Sequence, residues 1–351
     1  MKIGGRTVGP LDPCFIVAEI GLNHDGDAHK AHRLIDNAAT CGVDAVKFQK
    51  RDPKACLTQA ALDAPYTGRN SFGATYGAHR AALELSLATW EKLKQHAEGL
   101  GLIFFGSAFD VPSLRGIAPL VAAVKIPSCD LTHVALLTEA LNTELPLIVS
   151  TGMATEAELD RAVRLLFPAH VQRRLALLHC VSGYPVENAD ANLLRMLWLQ
   201  RYAVPVGYSD HTRGIAISVA AAALGACIVE RHFTLDRTAA GPDHAASLEP
   251  EGLRRLVRDI RKVEAALKPM REQPIECEMG SKKKLRKCAV ATRDLPAGHV
   301  LTSLDIAWKS PEVEGAAPAD LDIRSRVLRV GVGADEPLLL VSLLDKVSTL
   351  P

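Results

Sequence analysis

Eight short apolar runs, each followed by a stretch of helical periodicity, recur between Phe15 and Leu267, and this alternation constrains the chain more than any other feature. The runs are Phe15–Ile20, Asp44–Gln49, Leu102–Ser107, Ala122–Ile126, Leu145–Ser150, Leu175–Cys180, Val204–Ser209 and Ala226–His232. Helical patterns lie near residues 28–41, 87–99, 112–119, 133–142, 155–167, 189–200, 214–224 and 250–267. Eight strands alternating with helices over ~250 residues predict a closed (β/α)8 barrel, the TIM-barrel arrangement of the α/β class. An open doubly wound sheet would gather its ligands at one switch point. Here polar residues close nearly every run: Glu19, Lys47 with Gln49, Ser107, Lys125 with Ser128, Ser150, His179 with Tyr184, Ser209 with His211, and Glu230 with His232. That distribution suits a barrel, whose chemistry sits at the carboxyl ends of its strands.

The barrel accounts for residues 1–267 of a 351-residue chain. Beyond it, Pro269, Pro274 and the basic run Ser281–Lys287 read as a linker over 268–284 with solvated charges. Short runs at Cys288–Thr292, 300–302 and Leu338–Val341, separated by turns, predict a small β-rich domain over 285–351. A formal net charge of +1 gives no overall attraction to nucleic acid or membrane. No apolar run approaches the ~18 residues of a membrane span, and the first residues lack a signal-like apolar core, so a cytoplasmic protein is expected. The eight cysteines show no C-x-x-C spacing and are expected as reduced, buried thiols, Cys129 alone standing among site residues.

His211 and His232 end consecutive strands of one β-α-β unit. A parallel crossover brings equivalent strand ends side by side, so the two imidazoles are expected close enough to share a cation. The plainer alternative is that each satisfies a polar group at its strand end. A cation held by two histidines keeps positions open for water and substrate, which suits a Lewis acid polarising a carbonyl. Lys47 and Lys125, with the hydroxyls of Ser107, Ser128, Ser150, Ser182 and Ser209, describe a pocket for a small, highly charged anion such as a phosphorylated acid. Glu19 or Glu230 could instead be structural partners of these lysines. A two-histidine metallohydrolase competes with this reading, but such barrels commonly carry a His-x-His pair on strand one. The run ending Ala18-Glu-Ile-Gly-Leu-Asn-His24 has none. The long loop from Leu57 to Glu84 interleaves aromatic and basic residues, including Tyr66, Arg69, Asn70, Phe72, Tyr76, His79 and Arg80, and reads as a lid.

The segments Ala18–Asp27, Val46–Gln49, Lys125–Ser128, Ser150–Met153, Gly207–Thr212, Glu230–Thr234 and Gly241–Pro250 resemble the sialic acid (N-acylneuraminate) synthase family. Arg293–Thr302 resembles the family's C-terminal antifreeze-like domain, the SAF domain of β-clip type. The resemblance implies a synthase that condenses phosphoenolpyruvate with an N-acylated aminosugar in its open-chain form and releases phosphate. It implies that His211 and His232 hold a divalent cation, usually manganese, with magnesium or cobalt as alternatives. It assigns Lys47, Lys125, Ser107, Ser128, Ser150, Ser182 and Ser209 to phosphoenolpyruvate, and Glu19, Gln49, Asp130, Tyr184 and Asp243 to the sugar. Glu19 would also handle a proton or orient water. The lid, with Arg69 and Asn70, resembles that of enzymes taking a sugar 6-phosphate and forming a 9-phosphate product, and Arg69 and Arg80, with His79 as a third donor, suit a dianionic phosphate. A homodimer with exchanged tail domains is implied as well. Another nonulosonate, such as legionaminate, pseudaminate or a deaminated sialic acid, is the alternative product. Cys129 stands where the family generally has glycine, Thr132-His133 where asparagine-rich sequence is common, and Lys309-Ser310 where a tail arginine is expected.

Overall fold

The computed structural model describes residues 1–166, 172–267 and 271–344. The chain divides into two compact units, Met1–Lys268 and Pro269–Pro351. In the first, eight parallel strands close a barrel: Phe15–Gly21, Ala45–Lys50, Ile103–Ala108, Val124–Ile126, Leu147–Ser150, Leu175–Cys180, Val206–Asp210 and Ile228–His232. Four strands start two residues later than the apolar runs suggest, at Val124, Leu147, Val206 and Ile228, and two of these starts have a direct cause. Pro146 precedes Leu147 and Pro205 precedes Val206, and proline has no N–H to give to a ladder.

Strand periodicity and register together build the floor of the mouth. Alternate residues point inward, and neighbouring strands align Glu19 with both His232 and Lys47, Gln49 with Ser107, Ser107 with Lys125, and Glu230 with Ser209. The outward set packs on the helix layer. Gly106 shows how closely: a Cβ there would lie 2.6 Å from the ring of Trp90, on the helix Leu87–Gly99. The helices Ala28–Thr40, Val134–Asn142, Glu156–Leu166 and Pro250–Ala266 follow the predicted patterns. The predicted helix near 189–200 contracts to Leu194–Leu199, with a single tighter turn at Asn188–Asp190 before it.

A hairpin pairing Lys2–Ile3 with Arg6–Thr7 precedes the barrel and was absent from the sequence reading. Gly4 and Gly5 take φ of +53° and +84°, the left-handed pair that a two-residue hairpin turn requires. The lid is built rather than loose. Helices Pro53–Cys56, Gln59–Asp63 and Tyr76–Ala82 and a bridge between Pro65 and Thr75 order it, while Tyr66 packs 5.3 Å from Tyr76 and 4.5 Å from His79, ring centre to ring centre.

In the second unit, Cys288–Ala291 pairs antiparallel with Ile306–Lys309, and Val327–Leu328 with Leu343–Leu344, over a small core that includes Leu295, Leu301, Ile323 and Leu338. The expected linker contains an α-helix, Glu276–Leu285. Lys282, Lys283 and Lys284 occupy its last turn, where cations complement the helix dipole. The expectation of buried thiols fails for Cys56, Cys129 and Cys277, which are exposed. Among the described residues no helix is long and apolar enough to cross a membrane.

Candidate active site

A cavity of about 330 Å³ opens at the carboxyl ends of the barrel strands. Glu19, Lys47, Gln49, Ser107, Lys125, Ser128, Ser150, Ser182, Tyr184, Ser209, His211, His232 and Asp243 all line it. Parallel register explains the convergence of all but Asp243, which a longer loop after the last strand brings in. Three residues singled out from the sequence lie elsewhere. Asp130 lines a neighbouring cavity of about 390 Å³ with Tyr76 and His133. Arg69 gives its guanidinium to the carbonyl of Thr238, and Asn70 Oδ1 accepts from the backbone N–H of Gly241 at 3.2 Å.

Among the lining residues, Arg51 and Cys180 escaped sequence reading, whereas Arg80 had been named with the lid. Arg51 continues the inward alternation of Lys47 and Gln49 one step beyond the strand, a signal that the period of two could have supplied. Its guanidinium lies over the ring of Phe109, 3.9 Å from the centroid, and is hydrogen-bonded to Gln49 Oε1. Arg80, part of the lid, lines both cavities. Cys180 also reaches the cavity, so Cys129 is not the only thiol there.

The two lysines do have carboxylate partners. Lys47 Nζ lies 2.9 Å from Glu19 Oε2 and 3.7 Å from Glu230 Oε2, and donates to Ser107 Oγ at 2.8 Å. Lys125 Nζ lies 3.4 Å from Glu230 Oε1, which also accepts from Ser209 Oγ at 3.1 Å. Gln49 Nε2 donates to Glu19 Oε1 at 2.7 Å, so both oxygens of Glu19 face donors. Burial works against the charge of Lys47, yet Glu19 and Glu230 outweigh it and hold the ammonium above its usual pKa. For Lys125 burial prevails over the attraction of Glu230, and the pKa falls. Burial of Glu230 is overcome by both lysines, and its carboxyl sits well below the ordinary range.

These pairs do not neutralise the cavity. Its lining carries Lys47, Lys125, Arg51 and Arg80 against Glu19, Glu230 and Asp243, four cations to three carboxylates. A divalent ion at the histidines would raise that surplus, which favours an anionic ligand. Ser150 Oγ, buried on the wall, has no partner among the described residues, as expected of a hydroxyl kept for a ligand.

The rings of His211 and His232 are 5.5 Å apart, centre to centre, with Tyr184 packed 4.2 Å from the first. His211 Nδ1 lies 2.8 Å from the carbonyl oxygen of Val181, which can only accept, so Nδ1 carries a proton and Nε2 is the nitrogen left to face a ligand. Burial works against its charge, but Cys180 and the Val181 carbonyl outweigh it and hold the pKa above the usual imidazole value, so a cation there would displace a proton. Burial lowers the pKa of His232 and so favours the neutral, ligating form; its Nδ1 is buried without a hydrogen bond, and Asp243 Oδ2 is 4.0 Å away. Two imidazoles facing one cavity fit a divalent cation that takes its other ligands from water or substrate. No group of three or more His, Cys, Asp and Glu suited to a metal occurs among the described residues, so the pair would leave coordination positions open.

Comparison with known proteins agrees with this arrangement. The NeuB family pattern matches residues 34–272 and the SAF domain pattern residues 286–344. The chain is 38% identical to the N-acetylneuraminate-9-phosphate synthase of Mus musculus, over 95% of this chain and 94% of the mouse protein. It is 37% identical to an N,N'-diacetyllegionaminic acid synthase of Legionella pneumophila, over 91% of this chain and 92% of that one. A crystal structure of N-acetylneuraminic acid synthetase from Leptospira borgpetersenii, with citrate, superposes with a TM-score of 0.69 at 34% identity, covering 80% of this chain and 94% of that chain. With its parallel eight-stranded barrel and its SAF domain, the chain belongs to the NeuB family of sialic acid synthases.

Proposed function

We propose that this protein condenses phosphoenolpyruvate with an N-acylated mannosamine, favouring the 6-phosphate, to give N-acetylneuraminate 9-phosphate and inorganic phosphate. The observation that carries the reading is the meeting of two buried lysines, a ring of serine hydroxyls and two imidazoles in one cavity. Identity alone does not choose the sugar, since 38% and 37% separate two products by a single point.

Lys47 and Lys125 hold the carboxylate and phosphate of the enol substrate, helped by Ser107, Ser128, Ser150, Ser182 and Ser209. His211 and His232 would hold a divalent cation, manganese in the first instance, and such a cation would supply Lewis-acid polarisation of the open-chain sugar's aldehyde. Carbon three of the enol then forms a bond to the aldehyde carbon, and water adds at carbon two. The resulting tetrahedral centre breaks its bond to the phosphate oxygen and leaves a ketone. Glu19, fixed between Gln49 and Lys47, stands level with His232 in the strand register and is placed to orient that water or take its proton. Gln49, Tyr184 and Asp243 face the sugar from the same cavity. Arg51 and Arg80 supply charge for a phosphate at its far end. Arg69 is engaged with Thr238, and Asn70 with Gly241.

The test is phosphate release from phosphoenolpyruvate with a panel of mannosamine derivatives, each with and without the 6-phosphate. The legionaminate reading rests on the Legionella relative, and a diacetylated acceptor in the panel decides it.

A further inference from the structure

Behind the two histidine strands lies a second cavity, of about 290 Å³, that the condensation leaves unused. Alternation along the last strand sends Glu230 and His232 into the barrel and Arg231, between them, outward. There Arg231 Nη1 pairs with Asp210 Oδ2 at 2.6 Å, and Nη2 donates to the carbonyl of Thr212 at 2.8 Å. Four guanidinium groups line this cavity, those of Arg213, Arg231, Arg237 and Arg255, against the single carboxylate of Glu249.

Two of the four are already paired, Arg231 with Asp210 and Arg255 with Glu251, and the guanidinium of Arg237 donates to the carbonyl of Ala245 at 2.8 Å, which leaves Arg213 uncompensated. Glu249 Oε1 accepts from the backbone N–H of Arg237 at 3.0 Å, Arg255 Nε reaches Glu251 at 2.8 Å, and Arg213 makes no hydrogen bond or ion pair among the described residues. Two helices also begin here. Ala216–Ala223 and Pro250–Ala266 both lack a side-chain cap, and Gly214, Ile215 and Gly252 of their first turns or approaches line the cavity. Unbonded N–H groups at helix starts carry partial positive charge and bind anions. Thr212 and Arg231, both lining residues and almost fully buried, add a hydroxyl and an Nε without partners. A solvated basic surface would need neither uncapped helices converging on it nor buried donors left over.

We propose that this cavity is a binding site for a phosphate dianion, either free phosphate or a phosphomonoester on a sugar, separate from the condensation site. Guanidinium forks and helix N–H groups are donors only, and they match the acceptor-only oxygens of such a group.

The test titrates the full-length protein by calorimetry with inorganic phosphate and, separately, with N-acetylmannosamine 6-phosphate, at constant ionic strength set with chloride. Wild type is compared with the double variant Arg213→Ala, Arg255→Ala, whose residues lie outside the condensation cavity. The expected result is binding weakened at least about tenfold for one or both ligands, with phosphoenolpyruvate turnover unchanged. Loss for the sugar phosphate alone identifies an ester as the occupant; loss for both identifies free phosphate as sufficient. Arg213→Lys, which keeps the charge but removes the fork, should fall between the two. Identical isotherms in wild type and double variant, or heats reproduced by added chloride alone, would overturn the proposal.

Discussion

Glu230 bridges two lysines: its Oε1 lies 3.4 Å from Lys125 Nζ and its Oε2 3.7 Å from Lys47 Nζ, all three side chains buried. A carboxylate so placed keeps both ammonium groups charged while the cavity waits for an anion. It also competes with that anion. Replacing Glu230 with glutamine keeps the shape and removes the charge, which leaves Lys125 without a carboxylate and Lys47 with Glu19 alone, and should cost about 3–5 kcal/mol of stability. A trapped anionic substrate would then replace the missing charge. Phosphoenolpyruvate should therefore raise the Tm of Glu230→Gln by more than it raises that of the wild type. A smaller shift in the variant would show that the lysines do not receive the substrate's charge.

The histidine pair makes a second expectation. Both imidazoles are buried, so alanine would open a hole as well as remove a ligand, and glutamine is the better probe. His211→Gln or His232→Gln should lose activity by several orders of magnitude at nearly unchanged Tm. EDTA should inactivate the wild type, and added manganese should restore the wild type alone. Full turnover in chelated enzyme contradicts the metal assignment.

Much of this site was readable because one rule governs it. In a parallel barrel, whatever ends a strand faces the mouth, so locating eight apolar runs located Lys47, Ser107, Lys125, Ser150, Ser209 and His232 together. Residues on loops obeyed no such rule. Arg69 and Asn70 carry suitable chemistry, yet the path of the lid turns them to the Thr238–Gly241 segment, and Arg80 on a lid helix reaches the cavity instead. The helix Glu276–Leu285 was hidden by its composition, since a lysine run reads as solvated linker until its place in a last helical turn is known. The cavity behind the histidines joins residues from two loops and two helix starts, which no local pattern connects.

Asp305 ties the tail unit together and gives a pH dependence. Buried itself, it accepts from Arg293 Nη2 at 2.8 Å, from Thr302 N at 2.9 Å and Thr302 Oγ1 at 2.7 Å, and faces His299 Nε2 at 3.0 Å. Burial alone would raise its pKa, but those donors hold the carboxyl far below the ordinary range. A depressed carboxylate contributes stability above its unfolded pKa of about 3.9 and loses it progressively as pH falls below that value. Asp305→Asn should cost about 1–3 kcal/mol near neutrality and flatten the acid limb of the Tm profile between roughly pH 4 and 2. An unchanged acid limb in the variant would remove Asp305 from that role.

The tail unit leaves Leu304, Val330 and Val341 exposed beside its small core, at 83%, 53% and 78% of full exposure. Apolar surface of that kind on a small unit calls for cover. We expect a homodimer in which each tail closes the partner's barrel mouth. Sedimentation should give twice the chain mass, and truncation after Ala266 should give a monomer with sharply raised KM for the sugar. A monomeric full-length chain, or unchanged sugar kinetics after truncation, rejects the exchange.

The 6-position of the sugar is where the lid is decisive. Arg80 and Arg51 both line the main cavity and the neighbouring one that Asp130, Tyr76 and His133 complete, so a sugar extending from the first toward the second would bring its far end between two guanidinium groups. Arg80 is steadied by Tyr76, whose hydroxyl accepts from its Nε at 2.8 Å, which leaves its Nη1 for a ligand. Arg69, held to Thr238, is the internal control. Arg80→Ala should lower kcat/KM for N-acetylmannosamine 6-phosphate by about ten- to a hundredfold, the cost of one charge-assisted contact of roughly 1.5–3 kcal/mol, while Arg69→Ala changes it by less than about threefold. The free sugar should be indifferent to both substitutions, because without a phosphate neither arginine has an anion to hold. If Arg80→Ala slows both sugars equally, the residue shapes the lid rather than reading the phosphate. If the free sugar is the better substrate of the wild type, the 6-phosphate assignment falls, and the two arginines must face some other part of the acceptor.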